Sequence, residues 1–149
     1  MEKKNDTEID NQRTLARFAN SFDLEDWDLM ESVLTEVLTV DYSDLRGDPP
    51  KEITAKEYVA ARREALQHLD TQPIIGNLEI EVAGGEASVR ASSLILRSRD
   101  SKSFNTHASY LFGLTEAQSG DWRINRIKQT LLWNEGDPAI HGGARTTRS

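Results

Sequence analysis

Residues 86–114, EASVRASSLILRSRDSKSFNTHASYLFGL, carry the pattern that decides the fold of this chain. Apolar and polar side chains alternate through residues 86–99 and again from Phe104 to Leu114. Alternation with a period of two is typical of strands that bury one face. The polar residues 98–103 between the two stretches predict a turn. The sequence therefore predicts two long antiparallel strands that follow one another in the sheet.

The flanking segments extend this pattern into a meander of four strands. Residues 73–82 and 122–133 also alternate, and Gly84-Gly85 suits a hairpin turn. On the N-terminal side the apolar spacing changes to three and four residues, which is typical of helices. We predict helices over residues 9–20, 24–34 and 54–69, a short strand over residues 37–42, and a loop over residues 45–53.

The composition indicates one domain and excludes several classes of function. The 149 residues include 18 Lys and Arg against 25 Asp and Glu, so the net charge of −7 lacks the basic surface of a non-specific nucleic-acid binder. The absence of cysteine removes disulfides, thiolate metal sites and cysteine nucleophiles. Mean hydropathy is −0.60, and no apolar run approaches the roughly 18 residues of a membrane span. We expect a cytoplasmic protein without nucleic-acid or membrane partners.

The expected architecture is α+β, because the helices are separated along the chain from the antiparallel meander. We expect residues 8–137 to form a single domain, with a disordered N-terminus over residues 1–7 and a flexible tail over residues 138–149. Both ends are polar and offer little to bury, and the N-terminus has no apolar stretch typical of a signal peptide. A strongly bent sheet packed on the helices would enclose a pocket.

Four segments resemble those of a known superfamily, in the same order along the chain. They are residues 22–28 (FDLEDWD), 40–42 (VDY), 71–77 (TQPIIGN) and 121–124 (DWRI). Together they resemble the NTF2-like, or SnoaL-like, proteins, and most of all scytalone dehydratase and its SnoaL-like relatives. The resemblance covers roughly residues 12–137. It implies an NTF2-like cone, with three N-terminal helices packed on a strongly curved, mostly antiparallel sheet.

The resemblance also implies a function and a partner. Such a cone would hold a small-molecule pocket and act, without a cofactor, as a dehydratase-like lyase or an isomerase on a small cyclic or aromatic-like compound. Relatives commonly dimerise through the outer sheet face, which implies a homodimer. The family's two pocket histidines fall on Pro73 and at or near Arg97 here, so their mechanism does not carry over. The alternatives are a non-catalytic small-ligand-binding module and an interaction-only dimer with a filled cavity.

Asp23 and Tyr42 are the candidate catalytic residues. A carboxylate between helices, walled by Phe22 and Trp27, could move a proton if burial raised its pKa. Asp is also a common helix N-cap, which is the alternative role for Asp23. Tyr42 shares a strand face with apolar neighbours, and its hydroxyl could polarise a substrate carbonyl or simply accompany a packed ring.

Strand parity supplies the remaining candidate substrate-binding residues. Ser93 and Arg97 share one face of the strand over residues 86–99, and Arg97 could bind a ligand carboxylate or lie exposed in water. On the later strands Tyr110 and Gln129 should face the same space, and Trp133 could stack on a ring at its rim. A β-bulge would reverse any of these assignments.

The sequence contains no pattern typical of a metal or phosphate site, so we predict no metal and no cofactor. Among the histidines, His107 should lie opposite the apolar face, His68 near a helix end, and His141 in the tail. A closed cavity below about 100 Å³ would argue against a small-molecule function, because ligand pockets usually measure about 300 Å³ or more.

Overall fold

The computed structural model describes residues 2–141, with side chains from residue 6 onwards. The helices are α1 (Glu2–Asp23), α2 (Trp27–Ser32), α3 (Ser43–Arg46) and α4 (Ala55–Ala65), followed near the end by a 3₁₀ helix (Pro138–Ile140). None of the described helices is long and apolar enough to cross a membrane.

Six strands form one sheet. They are β1 (Leu34–Asp41), β2 (Lys51–Thr54), β3 (Asp70–Ala83), β4 (Glu86–Arg99), β5 (Lys102–Glu116) and β6 (Trp122–Gly136). Their order across the sheet is β2-β1-β6-β5-β4-β3, and every pairing is antiparallel except β1 with β6. The predicted α+β class and the four-strand meander are confirmed. Strand β2 and helix α3 occupy the segment for which the sequence predicts a loop.

The inner face of the sheet and helix α1 form the main hydrophobic core. Along β4 the odd-numbered residues from Ala87 to Arg97 are buried, and the even-numbered ones are exposed or half-buried. Leu15 and Phe18 of α1 pack into this face beside Phe112. Helix α4 begins with the capping box that Thr54 and Glu57 predict: Glu57 N–H donates to Thr54 Oγ1 at 3.1 Å, and Thr54 N–H donates to Glu57 Oε1 at 3.2 Å.

β-bulges change which face several strand residues occupy. On β6 the partner of His107 is Trp133 and the partner of Ala108 is Leu131, so Leu132 is an extra residue. This bulge turns Trp133 to the outer face, where it is 52% exposed, and the predicted rim position for Trp133 is wrong. A second bulge lies between Gly76 and Glu79. Ile74 therefore faces outwards, although it is in phase along the sequence with Leu78 and Ile80, which pack against the core.

Both ends of the domain differ from expectation. Helix α1 begins at Glu2 rather than near Ile9, so residues 2–7 are helical instead of disordered. After β6, Gly136 adopts φ +100° and packs so closely on the Ser103 carbonyl that a Cβ would collide with it. The chain then turns back, and Ile140 and His141 are buried. The predicted flexible tail is wrong for residues 138–141, and residues 142–149 lie outside the described part.

Candidate functional site

A cavity lies between helices α1, α3 and α4 and the inner sheet face. Phe18, Phe22 and Ile95 contribute to its apolar walls, and its open volume is about 50 Å³. This is room for about two water molecules or a group of similar size. The interior therefore cannot hold a whole ligand of ordinary size in this conformation. It is smaller than the 100 Å³ limit set for a closed cavity, but that limit does not apply because the cavity is open on one side.

Arg97 projects into this cavity because it belongs to the inward-facing set of β4. It is only 5% exposed, and its Nη1 donates to Thr106 Oγ1 at 2.7 Å while the guanidinium lies 5.4 Å from the centre of the Phe104 ring. Its Nε is buried and has no hydrogen-bond partner among the described residues. Burial, with a smaller contribution from Arg46 and Arg62, lowers the pKa of Arg97 to about 10.

Two further arginines reach the cavity from the helical side. Arg62 of α4 lies over the rings of Tyr42 and Tyr58, at 5.2 and 5.4 Å from their centres. Arg46 is the last residue of α3. This helix is held against β6 by Asp44, whose carboxylate accepts a hydrogen bond from Leu131 N–H at 3.0 Å. The Nε atoms of both arginines are buried and lack a partner within the described chain.

Two hydrogen-bonded polar pairs lie at the cavity, and Tyr42, Tyr110 and Gln129 of these pairs line it. The hydroxyls of Tyr42 and Tyr58 are 2.6 Å apart, and burial raises the pKa of Tyr58 well above its ordinary value. On the sheet side, Gln129 Nε2 donates to the Tyr110 hydroxyl at 2.7 Å, and burial raises the pKa of Tyr110. Gln129 Oε1 is buried without a partner in the described structure. Both Tyr58 and Tyr110 are therefore protonated at neutral pH.

His141 closes the cavity beside Arg46. The ring is 2% exposed, and its Nε2 lies 3.5 Å from Arg46 Nη2. Burial, and then repulsion from Arg97, Arg46 and Arg62, lowers the pKa of His141 to about 3. The imidazole is therefore neutral at pH 7.

The charges around the cavity have one sign. Within the described part of the chain, no Asp or Glu lines it, whereas Arg46, Arg62 and Arg97 all do. None of the ion pairs formed by described residues includes these arginines. The cavity thus concentrates positive charge and hydrogen-bond donors.

A wider groove adjoins the cavity on the side of α4. It measures about 490 Å³ and shares Tyr42, Arg46 and Arg62 with the cavity wall. Val40 and Ile53 supply apolar surface there, and acidic side chains lie only on this outer side. Tyr42 and Arg62 therefore stand at the boundary between the small interior and the open groove.

The structure brings six of the nine predicted site residues to the cavity: Phe22, Tyr42, Ser93, Arg97, Tyr110 and Gln129. Asp23, Trp27 and Trp133 do not line it. Asp23 is exposed at the C-terminal end of α1 and shares a separate surface depression with Trp27. Its alternative role as a helix cap is wrong, because Asp26 caps α2 by accepting from Leu29 N–H at 3.0 Å.

Arg46, Arg62 and His141 are the cavity residues that the sequence prediction missed. Arg62 had a signal, since it lies three or four residues from Tyr58, Val59 and Leu66 and so shares the apolar face of the predicted helix over residues 54–69. Arg46 and His141 had none, because they reach the cavity through tertiary contacts. His107 lies on the outer face, with Nε2 2.6 Å from Glu135 Oε1. Within residues 2–141, no group of three or more His, Cys, Asp or Glu side chains is arranged to hold a metal ion.

Comparison with known proteins identifies related folds. A family model described as a SnoaL-like domain matches residues 7–128. No curated protein is significantly similar to the chain in sequence. The Kfla4162 protein from Kribbella flavida is 21% identical, with a TM-score of 0.83 over 90% of this chain and 97% of that one.

Two other solved structures carry names that refer to an activity. A Novosphingobium aromaticivorans protein provisionally named scytalone dehydratase is 15% identical, with a TM-score of 0.78 over 92% of each chain. A hexachlorocyclohexane dehydrochlorinase (LinA, type 2) is 13% identical, with a TM-score of 0.77 over 93% of each chain. At these identities the likeness establishes the fold alone.

Proposed function

Because the chain belongs to the SnoaL-like domain family, as its sequence resemblance predicts, we propose that the cavity binds a small molecule. One observation carries this proposal: the cavity wall contains several buried polar atoms without partners among the described residues. They are Arg46 Nε, Arg62 Nε, Thr71 Oγ1, Arg97 Nε, Gln129 Oε1 and His141 Nδ1. Such atoms cost stability unless they are hydrogen-bonded, so a ligand or ordered water must supply their partners.

The shape of the site limits how a ligand can bind. The interior of about 50 Å³ accepts a small polar group, and the groove of about 490 Å³ accepts a larger body. A ligand lying across Tyr42 and Arg62 would use both spaces. An interior filled by side chains alone, as in an interaction-only dimer, would leave the same polar atoms unpaired.

A thermal-shift panel of small cyclic ketones and carboxylates tests the proposal. We expect at least one compound to raise the melting temperature of the wild type and to have no effect on Ser93→Phe, which fills the cavity from β4. The matched control is Ser88→Phe on the exposed face of the same strand, which should keep the response. Small-molecule binding is refuted if no compound shifts the wild type.

A cofactor-free lyase or isomerase is the second candidate function. It is supported by the dehydrochlorinase and dehydratase names among the structural neighbours and by the Tyr42–Tyr58 hydroxyl pair at 2.6 Å. Tyr42 would polarise a carbonyl in this scheme. The exposed position of Asp23 weighs against its predicted part in proton transfer, because the carboxylate does not reach the cavity. The binding function is therefore the first proposal.

Solvent deuterium exchange separates the two candidates. An enzyme that removes a proton next to a carbonyl would incorporate deuterium into the cyclic ketones of the panel, and Tyr42→Phe would abolish this incorporation. Asp23→Asn would abolish it only if Asp23 takes part after a rearrangement. A binding module would hold the same compounds without exchange.

We also propose that the outer sheet face forms a homodimer, as the family resemblance implies. Ile74, Leu94, His107 and Trp133 occupy paired positions on neighbouring strands and form one row across this face. The His107 and Trp133 rings stack with their centres 4.0 Å apart, and Ile74 and Trp133 are about half exposed. A second copy of this chain would bury this apolar row.

Trp133→Asp should convert the dimer into a monomer, because it replaces the largest apolar side chain of the row with an unpaired charge that the interface would bury. Sedimentation of the wild type should give about twice the chain mass of 16.8 kDa, and the variant should give one chain mass. Leu24→Asp, at an apolar residue that is 69% exposed outside this row, is the control and should stay dimeric. A monomeric wild type contradicts the proposal.

A further inference from the structure

The cavity's excess of positive charge indicates the chemical class of the ligand. Arg46, Arg62 and Arg97 converge on one small space that no carboxylate of the described residues lines. A buried cation is costly unless an anion or several hydrogen-bond acceptors surround it. The described residues around Arg97 offer only the Thr106 hydroxyl, the Phe104 carbonyl and the face of the Phe104 ring.

The electrostatics of the cavity agree with this geometry. Burial lowers the pKa of both Arg97 and Arg46, and Arg62 lowers the pKa of each further by repulsion. The same three guanidinium groups repel a proton from His141. An anion among them would reverse each of these effects, because opposite charges stabilise the charged form of a neighbour.

We propose that the inner cavity binds the carboxylate group of a small organic acid, with Arg97 as its main partner and Arg62 on the side of the groove. This inference rests on the proposed function, since it names the ligand class of the same site. Thr106 holds Nη1 of Arg97 in place, and the buried Nε of this cavity-lining residue has no described partner. Such a fixed guanidinium is prepared for a planar, two-point contact with a carboxylate.

Size and polarity favour an organic carboxylate over other ligands. The interior of about 50 Å³ suits one carboxylate group, and the walls contributed by Phe22 and Ile95 suit an apolar body. A neutral carbonyl could accept from one guanidinium and would leave the remaining positive charge unpaired. Inorganic phosphate would bring its own charge but no apolar surface to cover these walls.

Benzoate and benzamide form the test pair, because they share a ring and differ in charge. Binding is measured by ¹H–¹⁵N NMR titration of the full chain. We expect benzoate to bind at least about tenfold more tightly than benzamide, since one charge-assisted contact is worth that factor. Arg97→Gln should weaken benzoate binding by about tenfold or more and weaken benzamide binding by a smaller factor, because benzamide loses one neutral hydrogen bond and no charge pairing. The control Arg90→Gln, on the exposed face of the same strand, should bind benzoate as the wild type does.

The outcomes separate this inference from the proposed function. Equal binding of benzoate and benzamide, or ketone binding without benzoate binding, overturns the carboxylate assignment and leaves small-molecule binding intact. If no compound of either kind binds, both proposals fail. Inorganic phosphate binding as tightly as benzoate overturns the assignment to an organic acid. If Arg97→Gln does not fold, the half-buried Arg62→Gln replaces it, and unchanged benzoate affinity there overturns the inference.

Discussion

Between pH 7 and pH 5 the wild-type protein should lose about 2 kcal/mol of its free energy of unfolding, and most of this loss should disappear in His141→Gln. Burial and three arginines lower the pKa of His141 from 6.5 to about 3 in the folded state. The unfolded chain binds this proton below about pH 6.5, and the folded chain does not. The stability is therefore fully present above pH 6.5 and is lost progressively as the pH falls towards 3.

Urea denaturation at several pH values between 5 and 7 measures this effect. The described carboxyl groups with lowered pKa, such as Asp41 and Glu57, start from ordinary values of 3.8 and 4.5, so they act mainly below this range. The control His68→Asn changes an exposed histidine and should keep the wild-type slope. A wild type whose stability stays constant over this range, or a His141→Gln variant that keeps the full slope, contradicts a buried neutral imidazole.

Arg97→Met should raise the free energy of unfolding of the ligand-free protein by about 1 to 3 kcal/mol. Lowering the pKa of Arg97 from 12.5 to about 10 corresponds to about 3 kcal/mol of unfavourable free energy in the charged folded state. Methionine fills a similar volume without the charge. The Thr106 hydroxyl still donates to Asn134 Oδ1 at 2.9 Å after the substitution, so this buried group keeps a partner.

The same urea measurement at pH 7 checks this prediction. Arg90→Met, on the exposed face of β4, should change stability by no more than about 0.5 kcal/mol. We expect Arg97→Met to gain stability and to lose benzoate binding. This combination is typical of a functional residue whose presence lowers the stability of the protein. An Arg97→Met variant less stable than the wild type would mean that the contacts of Arg97 with Thr106 and Phe104 outweigh its desolvation.

Where the sequence predicts the site well, the reason is local geometry. Side chains alternate along an extended strand, so Ser93 and Arg97 must share a face whatever packs on them. The apolar neighbours of these residues then identify the buried side. Tyr110 on β5 and Gln129 on β6 follow the same rule, because no bulge lies between them and their inward-facing neighbours Phe112 and Ile127.

The tertiary structure overrides local patterns at particular residues. Leu132 is an extra residue in the pairing of β6 with β5. The alternation of side chains along β6 alone does not reveal where such a bulge occurs. Trp133 therefore faces outwards despite its phase. Asp23 lies in a segment that resembles a family motif, yet α1 continues through it and ends with this carboxylate in solvent.

The sequence by itself determined the α+β class, the four-strand meander, the capping box of α4 and the family, because these depend on periodicity and short motifs. Only the tertiary structure brought together Arg46, Arg62 and His141, which lie far apart along the chain. Their meeting depends on the Asp44–Leu131 contact and on the turn at Gly136. Such contacts join distant segments of the chain. The charge of the cavity therefore depends on how the helices and strands pack together, and no single segment of the sequence predicts it.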